Sequence, residues 1–525
     1  MTSAINKAIL RLSKRAESSD SENLMQTFVD VGPLFEILNG NDHQILYGRR
    51  STGKTHVLNY LAKSKLQTGD AAVIIDLRNI GSNSGLYADS SVPSAERATR
   101  LLVDTLSAIH SSLLGFFIDR AEELDLSQSG PALDRLAEAI NQVKVSGKIE
   151  TTEFDSDTFA SNKSSQVNAK ASANPSVTVS SVDAENHEKS TFKTVYRAGH
   201  EHLYVNFGAT SAAFRDVVSC LTTKRLWVLL DEWSSVPIAL QPYLADLLRR
   251  SLFPINNVTV KIGAIEHRSS FVTWGQKGDY TGIEIGADAS ADVNLDDFMV
   301  FDNNAEKAQS FFRDLISQHI KAVARGSDIE GSIPSFSDEI MRVAFTEKRA
   351  IEEFVRSCEG VPRDAMNIIS LAAQRANDDA ISVNHIRIAA NNWYERDKEK
   401  AVTSNQVAEQ LLRWVVDQVI GKRRARAFLL RNDARDKVIN QLYDSRVLHV
   451  LKRGISSHDE PGIRYDVYKL DYGCYVDLLS TSRGPAGLLP YDENMSGYIE
   501  VPPDDYRSIR RAILNLTDFY ADASV

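Results

Sequence analysis

An α/β fold built on a parallel sheet is predicted for this 525-residue chain by three features. Short apolar runs recur between stretches of helical composition: HQILY at 43–47, AAVIIDL at 71–77, LWVLL at 226–230 and VTVKIGAI at 258–265. AAVIIDL is a continuous apolar run of strand length, and apolar strands of this kind, separated by helices, belong in a parallel sheet covered on both faces. The first run ends in a glycine-rich turn, GRRSTGKT at 48–55, and a helix-forming stretch, THVLNYLAKSKL, follows it. The length calls for more than one domain, because single cores stop growing at roughly 250–300 residues.

A hydrophobic fraction of 43% and a charged fraction of 25% are those of a globular protein. The longest apolar stretch, Leu101 to Ile118, is broken by Asp104, His110 and paired serines, so a buried helix is expected there rather than a membrane span. The N-terminus has no apolar core or cleavage site of a secretion signal. Cys220, Cys358 and Cys474 lie far apart with no CxxC spacing, which argues against a disulfide framework or a zinc site and for a cytoplasmic setting. The net charge of −10 speaks against a chain that coats nucleic acid everywhere, while leaving room for a local basic face.

Four segments follow from the pattern. Residues 1–23 form a short amphipathic helical segment, and 24–300 the α/β core. An insertion at 141–200, rich in Ser, Ala and Asn, interrupts that core with alternating pieces (KIETTEF, SVTVSSV, TFKTVYR). They read as a β-ribbon or a loose loop, either a plain solvated insertion or an arm for a protein partner or DNA. Residues 301–400 are helical by the apolar spacing of AQSFFRDLISQHI and DAMNIISLAAQRA, and 401–525 form a further domain.

GRRSTGKT fits GxxxxGK[ST] at every fixed position and has the strand and helix flanks that phosphate binding needs. Glycines let backbone N–H groups wrap around phosphates, and the helix N-terminus adds a favourable dipole. The nucleotide candidates are Gly48, Arg49, Arg50, Ser51, Thr52, Gly53, Lys54, Thr55 and His56, with ATP or ADP and Mg2+ as the expected ligands. Lys54 should reach the β- and γ-phosphates and Thr55 the magnesium. Asp231 and Glu232 follow the apolar run LWVLL, so a buried strand would deliver both beside the P-loop if the two strands share a sheet. Asp231 would then hold magnesium and Glu232 would orient or deprotonate the attacking water, which points to hydrolysis. The alternative is a solvent-facing acidic pair at a strand end. Glu266, His267 and Arg268 end the next strand, where a polar side chain would sense the γ-phosphate. Arg363, in GVPRDAMNII, opens a helix from which it could reach nucleotide, or it is an ordinary surface arginine.

Taken together, YGRRSTGKT as Walker A, LLDE as Walker B and GVPRDAM as a sensor-2 motif resemble the AAA+ ATPases of the origin-recognition initiator (ORC/CDC6-like) type. The resemblance covers about residues 24–125 and 200–480 and leaves out the insertion. It implies a P-loop AAA+ parallel sheet, a helical lid and a C-terminal winged-helix domain. It also implies that TFVDVGPLFEIL contacts adenine, through Phe28, Val29 and Val31. An arginine finger acting across a subunit boundary is implied as well, with Arg249, Arg250 and Arg268 as candidates, and with it a homo-oligomer formed on ATP binding. The sensor-1 position departs from the pattern, with Glu266–His267–Arg268 in place of Asn, Ser or Thr.

Between Arg413 and Arg453, eleven Lys or Arg face four Asp. The densest part, GKRRARAFLLR, contributes Lys422, Arg423, Arg424, Arg426 and Arg431 as candidate contacts to double-stranded DNA. After it the pattern reads as two short helices, a strand, a turn and a returning strand, the order of a winged helix. The wing, SSHDEPG, is acidic and ill suited to phosphate. Two other functions fit the same residues: a signalling or defence ATPase whose insertion and winged helix bind protein, or an ATP-dependent regulator of a transposase or nuclease.

Overall fold

The computed structural model describes residues 1–13, 21–30, 32–80, 91–141, 143–146, 200–203, 205–275, 278–298, 305–423, 425–433, 436–456, 462–479 and 513–522. Among the described residues, nine strands precede the helical region: β1 (Gln44–Tyr47), β2 (Ala71–Asp76), β3 (Val143–Ser146), β4 (His200–Leu203), β5 (Leu226–Asp231), β6 (Val258–Ala264), β7 (Val272–Trp274), β8 (Tyr280–Gly282) and β9 (Ser290–Asn294). Five of them make the main sheet, all parallel, in the order β2-β5-β6-β1-β9.

Burial follows position in this sheet. Every residue of β5 and β6 is buried; β5 is an unbroken apolar run up to Asp231, while β6 buries Thr259 and Lys261 among its apolar residues, and edge strand β2 alternates buried and half-buried positions. The expectation of a shared sheet holds, with β6 lying between the P-loop strand β1 and β5. Because all five strands run the same way, β1 and β5 end at one edge, and GRRSTGKT and Asp231–Glu232 arrive there together.

The helix Ser94–Asp119 is long and apolar enough to cross a membrane on length and composition. Its Leu102, Leu106, Ile109, Leu113 and Phe117 are instead buried in the core beneath the sheet. The 141–200 insertion leaves from the antiparallel pair β3–β4, and residues 147–199 lie outside the described residues.

A helical layer follows: Ala305–Ala324, Ser337–Ala344, Lys348–Cys358, Pro362–Ala376 and Val383–Trp393. Glu359 and Gly360 adopt left-handed φ of 48° and 78°, turning the chain so that Pro362 can open the next helix at its first position. The N-terminal helix Thr2–Leu10 packs into this layer. Ile5, Ala8 and Ile9 are buried there, and Asn6 Nδ2 donates to the carbonyls of Asn377 (2.6 Å) and Asp379 (2.9 Å).

The last region is helix Gln406–Val416, β10 (Ala427–Arg431), helix Lys437–Asp444, β11 (Leu448–Ser456) and β12 (Arg464–Leu470), with an antiparallel sheet in the order β10-β12-β11. It differs from the sequence expectation in two ways. Among the described residues one helix, not two, lies between the basic stretch and β11, and AFLLR, within that stretch, is a strand. Ala427 to Leu430 are all buried. A run apolar on both faces satisfies a covered strand, and Arg431 ends it in solvent. Most of the acidic wing, residues 457–461, lies outside the described residues.

Candidate nucleotide-binding site

The turn after β1 is shaped by backbone conformation. Gly48 N donates to Ala264 O on β6 (3.2 Å), and the chain passes through left-handed φ at Ser51 (77°) and Gly53 (101°) before the helix Lys54–Gln67 begins. Left-handed residues beside right-handed ones curl consecutive N–H groups into a concave nest for anions. A Cβ on Gly48 would stand 2.5 Å from Thr52 Oγ1, so only glycine fits there.

Lys54 is buried, and its Nζ donates to the carbonyls of Gly48 (2.7 Å) and Arg49 (2.9 Å). Burial lowers the Lys54 pKa, with the nearby carboxylates of Asp231 and Glu232 acting against that shift. Thr55 Oγ1 donates to Asp231 Oδ2 at 2.6 Å, which joins the P-loop helix to the end of β5. Asp231 is 3% exposed, and its Oδ1 accepts from Glu232 N (2.8 Å). The neighbouring strand makes room for this carboxylate with Gly263, where a Cβ would lie 2.9 Å from Asp231 Oδ1. Glu232 itself holds a left-handed φ of 58°, a strained state for a side-chain-bearing residue. Its Oε1 is 4.0 Å from Arg78 Nη1, while Arg78 is bound in a fork by Asp76 at 2.7–3.0 Å.

A cleft of about 330 Å³ opens between these residues and the helical layer. Arg50, Ser51, Gly53, Lys54, Thr55, Arg78 and Glu232 line it on the sheet side, and Pro362 and Arg363 on the side of the helical layer. Arg363 N donates to Ser51 O at 3.4 Å, so the first turn of the Pro362–Ala376 helix touches the P-loop directly. The rest of the lining is Leu24, Thr27, His56, Leu315, His319 and Met366, with Ser13 and Ser235. Of these the sequence singled out only His56. The others sit on separate segments and carry no motif.

The remaining candidates are placed elsewhere. Phe28 stacks on Tyr60 (3.7 Å, 13°) and meets His56 edge-on at 5.8 Å, behind the lining; Val29 is half-buried, and Val31 lies outside the described residues. Arg249 and Arg250 both pair with Asp246, at 2.8 and 2.7 Å. The three residues after β6 face the C-terminal region. Glu266 accepts twice from Arg453 (3.1 and 2.8 Å), His267 packs edge-on against Tyr443 (5.2 Å), and Arg268 Nε donates to Asp444 (2.7 Å).

Arg49 turns the same way. Its Nε donates to Asp296 Oδ1 (2.7 Å) and its backbone N to Asp296 Oδ2 (2.8 Å). Its Nη1 donates to Leu448 O (2.8 Å) and its Nη2 to His449 Nδ1 (3.1 Å), and the guanidinium lies 4.4 Å from the Tyr443 ring centre. Burial opposes this charge, but Asp296 outweighs it and raises the Arg49 pKa. Because Arg49 can only donate, His449 keeps its proton on Nε2, which donates to Asp471 Oδ2 (2.9 Å). Asp471 binds Lys398 (2.5 Å), Lys398 binds Asp364 (2.9 Å), and Asp364 also holds Arg446. A buried chain of charged groups thus runs from the P-loop to the residue beside Arg363.

In the basic stretch, Lys422 pairs with Asp417 (3.2 Å), Arg423 donates to Gln418 O (2.8 Å) and Arg431 pairs with Asp433 (2.7 Å). Arg426 is half-buried just before β10, and Arg424 lies outside the described residues.

Among known families, the ORC-CDC6-like model matches residues 12–90. Over those residues the chain is similar to that family. The matched stretch contains β1, Gly48–Thr55, His56, β2, Asp76 and Arg78. Among solved structures, that of Cdc6p from Pyrobaculum aerophilum is similar over 89% of this chain and 93% of that chain, at 9% identity and a TM-score of 0.30. A likeness with so low a score does not bear on function. No curated protein matches the chain. Asp231, Glu232 and Arg363 lie beyond the ORC-CDC6-like stretch and stand on geometry.

Proposed function

We propose that this chain is an AAA+-type ATPase that binds ATP with Mg2+ in the cleft between the P-loop and the helical layer and hydrolyses it slowly. The observation that carries the reading is the Thr55 Oγ1–Asp231 Oδ2 hydrogen bond of 2.6 Å, which brings a P-loop hydroxyl and a strand-end carboxylate to one point. Those are hard oxygen donors of the kind that hold Mg2+ with the help of waters and phosphate oxygens. Magnesium bound there would neutralise charge on the β- and γ-phosphates. Lys54 supplies a cation at the mouth of the nest. Glu232, at the rim of the cleft, would orient or deprotonate a water, and Arg363 would contact phosphate from the helical layer.

Because Arg363 N already touches Ser51 O, a nucleotide held by both surfaces favours the closed arrangement and acts as a switch. The C-terminal order of helix, strand, helix, strand, strand suits a winged helix, and we assign it contact with duplex DNA through Lys422, Arg423, Arg426 and Arg431. Assembly of copies on ATP binding belongs to the same reading. A second reading is favoured by one observation, the pairing of Lys422 and Arg431 with Asp417 and Asp433: the region then binds protein, in a signalling or defence ATPase. Binding of a ribose-labelled ADP, turnover of ATP, and duplex-DNA binding at low and high salt test these statements in turn. Loss of nucleotide binding in Lys54→Ala is expected; a wild-type chain that binds no nucleotide refutes the proposal.

A further inference from the structure

Three of the polar side chains that line the cleft, Thr27, His56 and His319, each have a hydrogen committed to a backbone carbonyl. His56 Nε2 lies 3.0 Å from Leu24 O, and His319 Nδ1 lies 2.8 Å from Leu315 O. Thr27 Oγ1 donates to Asn23 O at 2.7 Å. A carbonyl can only accept, so the ring protons sit on those two nitrogens and the hydroxyl proton points at Asn23. What remains is His56 Nδ1, His319 Nε2 and the free lone pair of Thr27 Oγ1, all three acceptors. The two rings come from helices on either side of the cleft and meet edge-on, 6.5 Å apart. Burial keeps the His319 ring neutral by pushing its pKa down to about 4. Leu24, Leu315 and Met366 complete this part of the cleft and offer a purine ring apolar contact.

We propose that Thr27, His56 and His319 select the base of the bound nucleotide, accepting hydrogen bonds from the 6-amino group of adenine and rejecting a 6-oxo purine. The inference rests on the reading of the cleft as an ATP site. The 6-amino group carries two hydrogens and is satisfied by any two of the three acceptors. Guanine and hypoxanthine present an oxygen at the same position, which would set lone pair against lone pair and leave the acceptors unpaired.

The test is displacement of ribose-labelled ADP from the full-length chain by ATP, ITP and GTP. ATP is expected to displace the label roughly ten- to hundredfold better than ITP, the loss that follows from an unpaired buried acceptor. In the double variant His319→Leu with Thr27→Val, which leaves a single acceptor for the two hydrogens, the ATP:ITP ratio should fall toward one, chiefly through weaker ATP binding. Wild-type protein that binds ATP and ITP within twofold overturns the inference while leaving the ATP site intact, and it does so without any variant. A wild-type ratio preserved in that double variant overturns it as well. A chain that fails to bind labelled ADP refutes the parent reading instead.

Discussion

Replacing Arg49 with alanine should destabilise the docking of the C-terminal region on the P-loop by about 3–5 kcal/mol, the cost of breaking a buried ion pair from one side. The magnitude follows from burial. Arg49 and Asp296 are 3% and 8% exposed, so solvent screens little, and the deletion orphans the Asp296 carboxylate, the Leu448 carbonyl and His449 Nδ1 together. Arg431→Ala is the control for a solvated pair: Arg431 and Asp433 are 50% and 66% exposed, and a change of about 0–1 kcal/mol is expected. Urea unfolding gives the stability difference, and amide hydrogen exchange over 443–471 localises it. The double replacement Arg49→Met with Asp296→Leu should recover most of the loss, because an apolar pair leaves no buried charge uncompensated. If Arg49→Ala costs less than about 1 kcal/mol and exchange over 443–471 is unchanged, the buried chain of charges does not couple the two regions.

Three further outcomes are expected. Gly263→Ala should shift the Asp231 carboxylate, since its Cβ would meet Oδ1 at 2.9 Å; weaker Mg2+-dependent nucleotide binding and a stability loss of about 1–3 kcal/mol are the readouts. Stability should fall as pH drops from 6.5 to 4, because burial and Arg49 push the His449 pKa down to about 4, so the unfolded chain takes up a proton that the folded chain refuses. His449 contributes on the order of 3 kcal/mol to that fall, fully retained above pH 6.5, and His449→Gln should flatten the curve of urea stability against pH. Neutralising Lys422 and Arg423 should weaken duplex-DNA binding across sequences and reduce its salt slope; unchanged binding would favour a protein partner.

Much of the α/β core was legible because its information is local. The P-loop needs glycines at fixed spacing between a strand and a helix, and LWVLL, buried on both faces, shows as an unbroken apolar run. Asp231 and Glu232 could be placed beside the loop because parallel strands end at one edge. The destination of Arg49 was not legible: it occupies a free position of GxxxxGK[ST], and its partners Asp296, Leu448 and His449 lie about 250 and 400 residues further along the chain. Glu266–His267–Arg268 read as a γ-phosphate sensor from its place after β6, yet its contacts are to Arg453, Tyr443 and Asp444, which a local pattern does not reveal. The base-side lining had no motif because Thr27, His56 and His319 come from three helices, each with its own burial pattern. AFLLR misled for a simpler reason: it follows a basic run, and charge density says nothing about backbone period.

The most direct test of the ATPase assignment compares wild-type and Glu232→Gln protein for ATP affinity and steady-state turnover. Wild-type protein should hydrolyse ATP in a Mg2+-dependent reaction, and Glu232→Gln should bind ATP with similar affinity while turnover falls about 10²–10⁴-fold. Turnover in Glu232→Gln equal to wild type, or no nucleotide binding by either protein, would contradict the assignment.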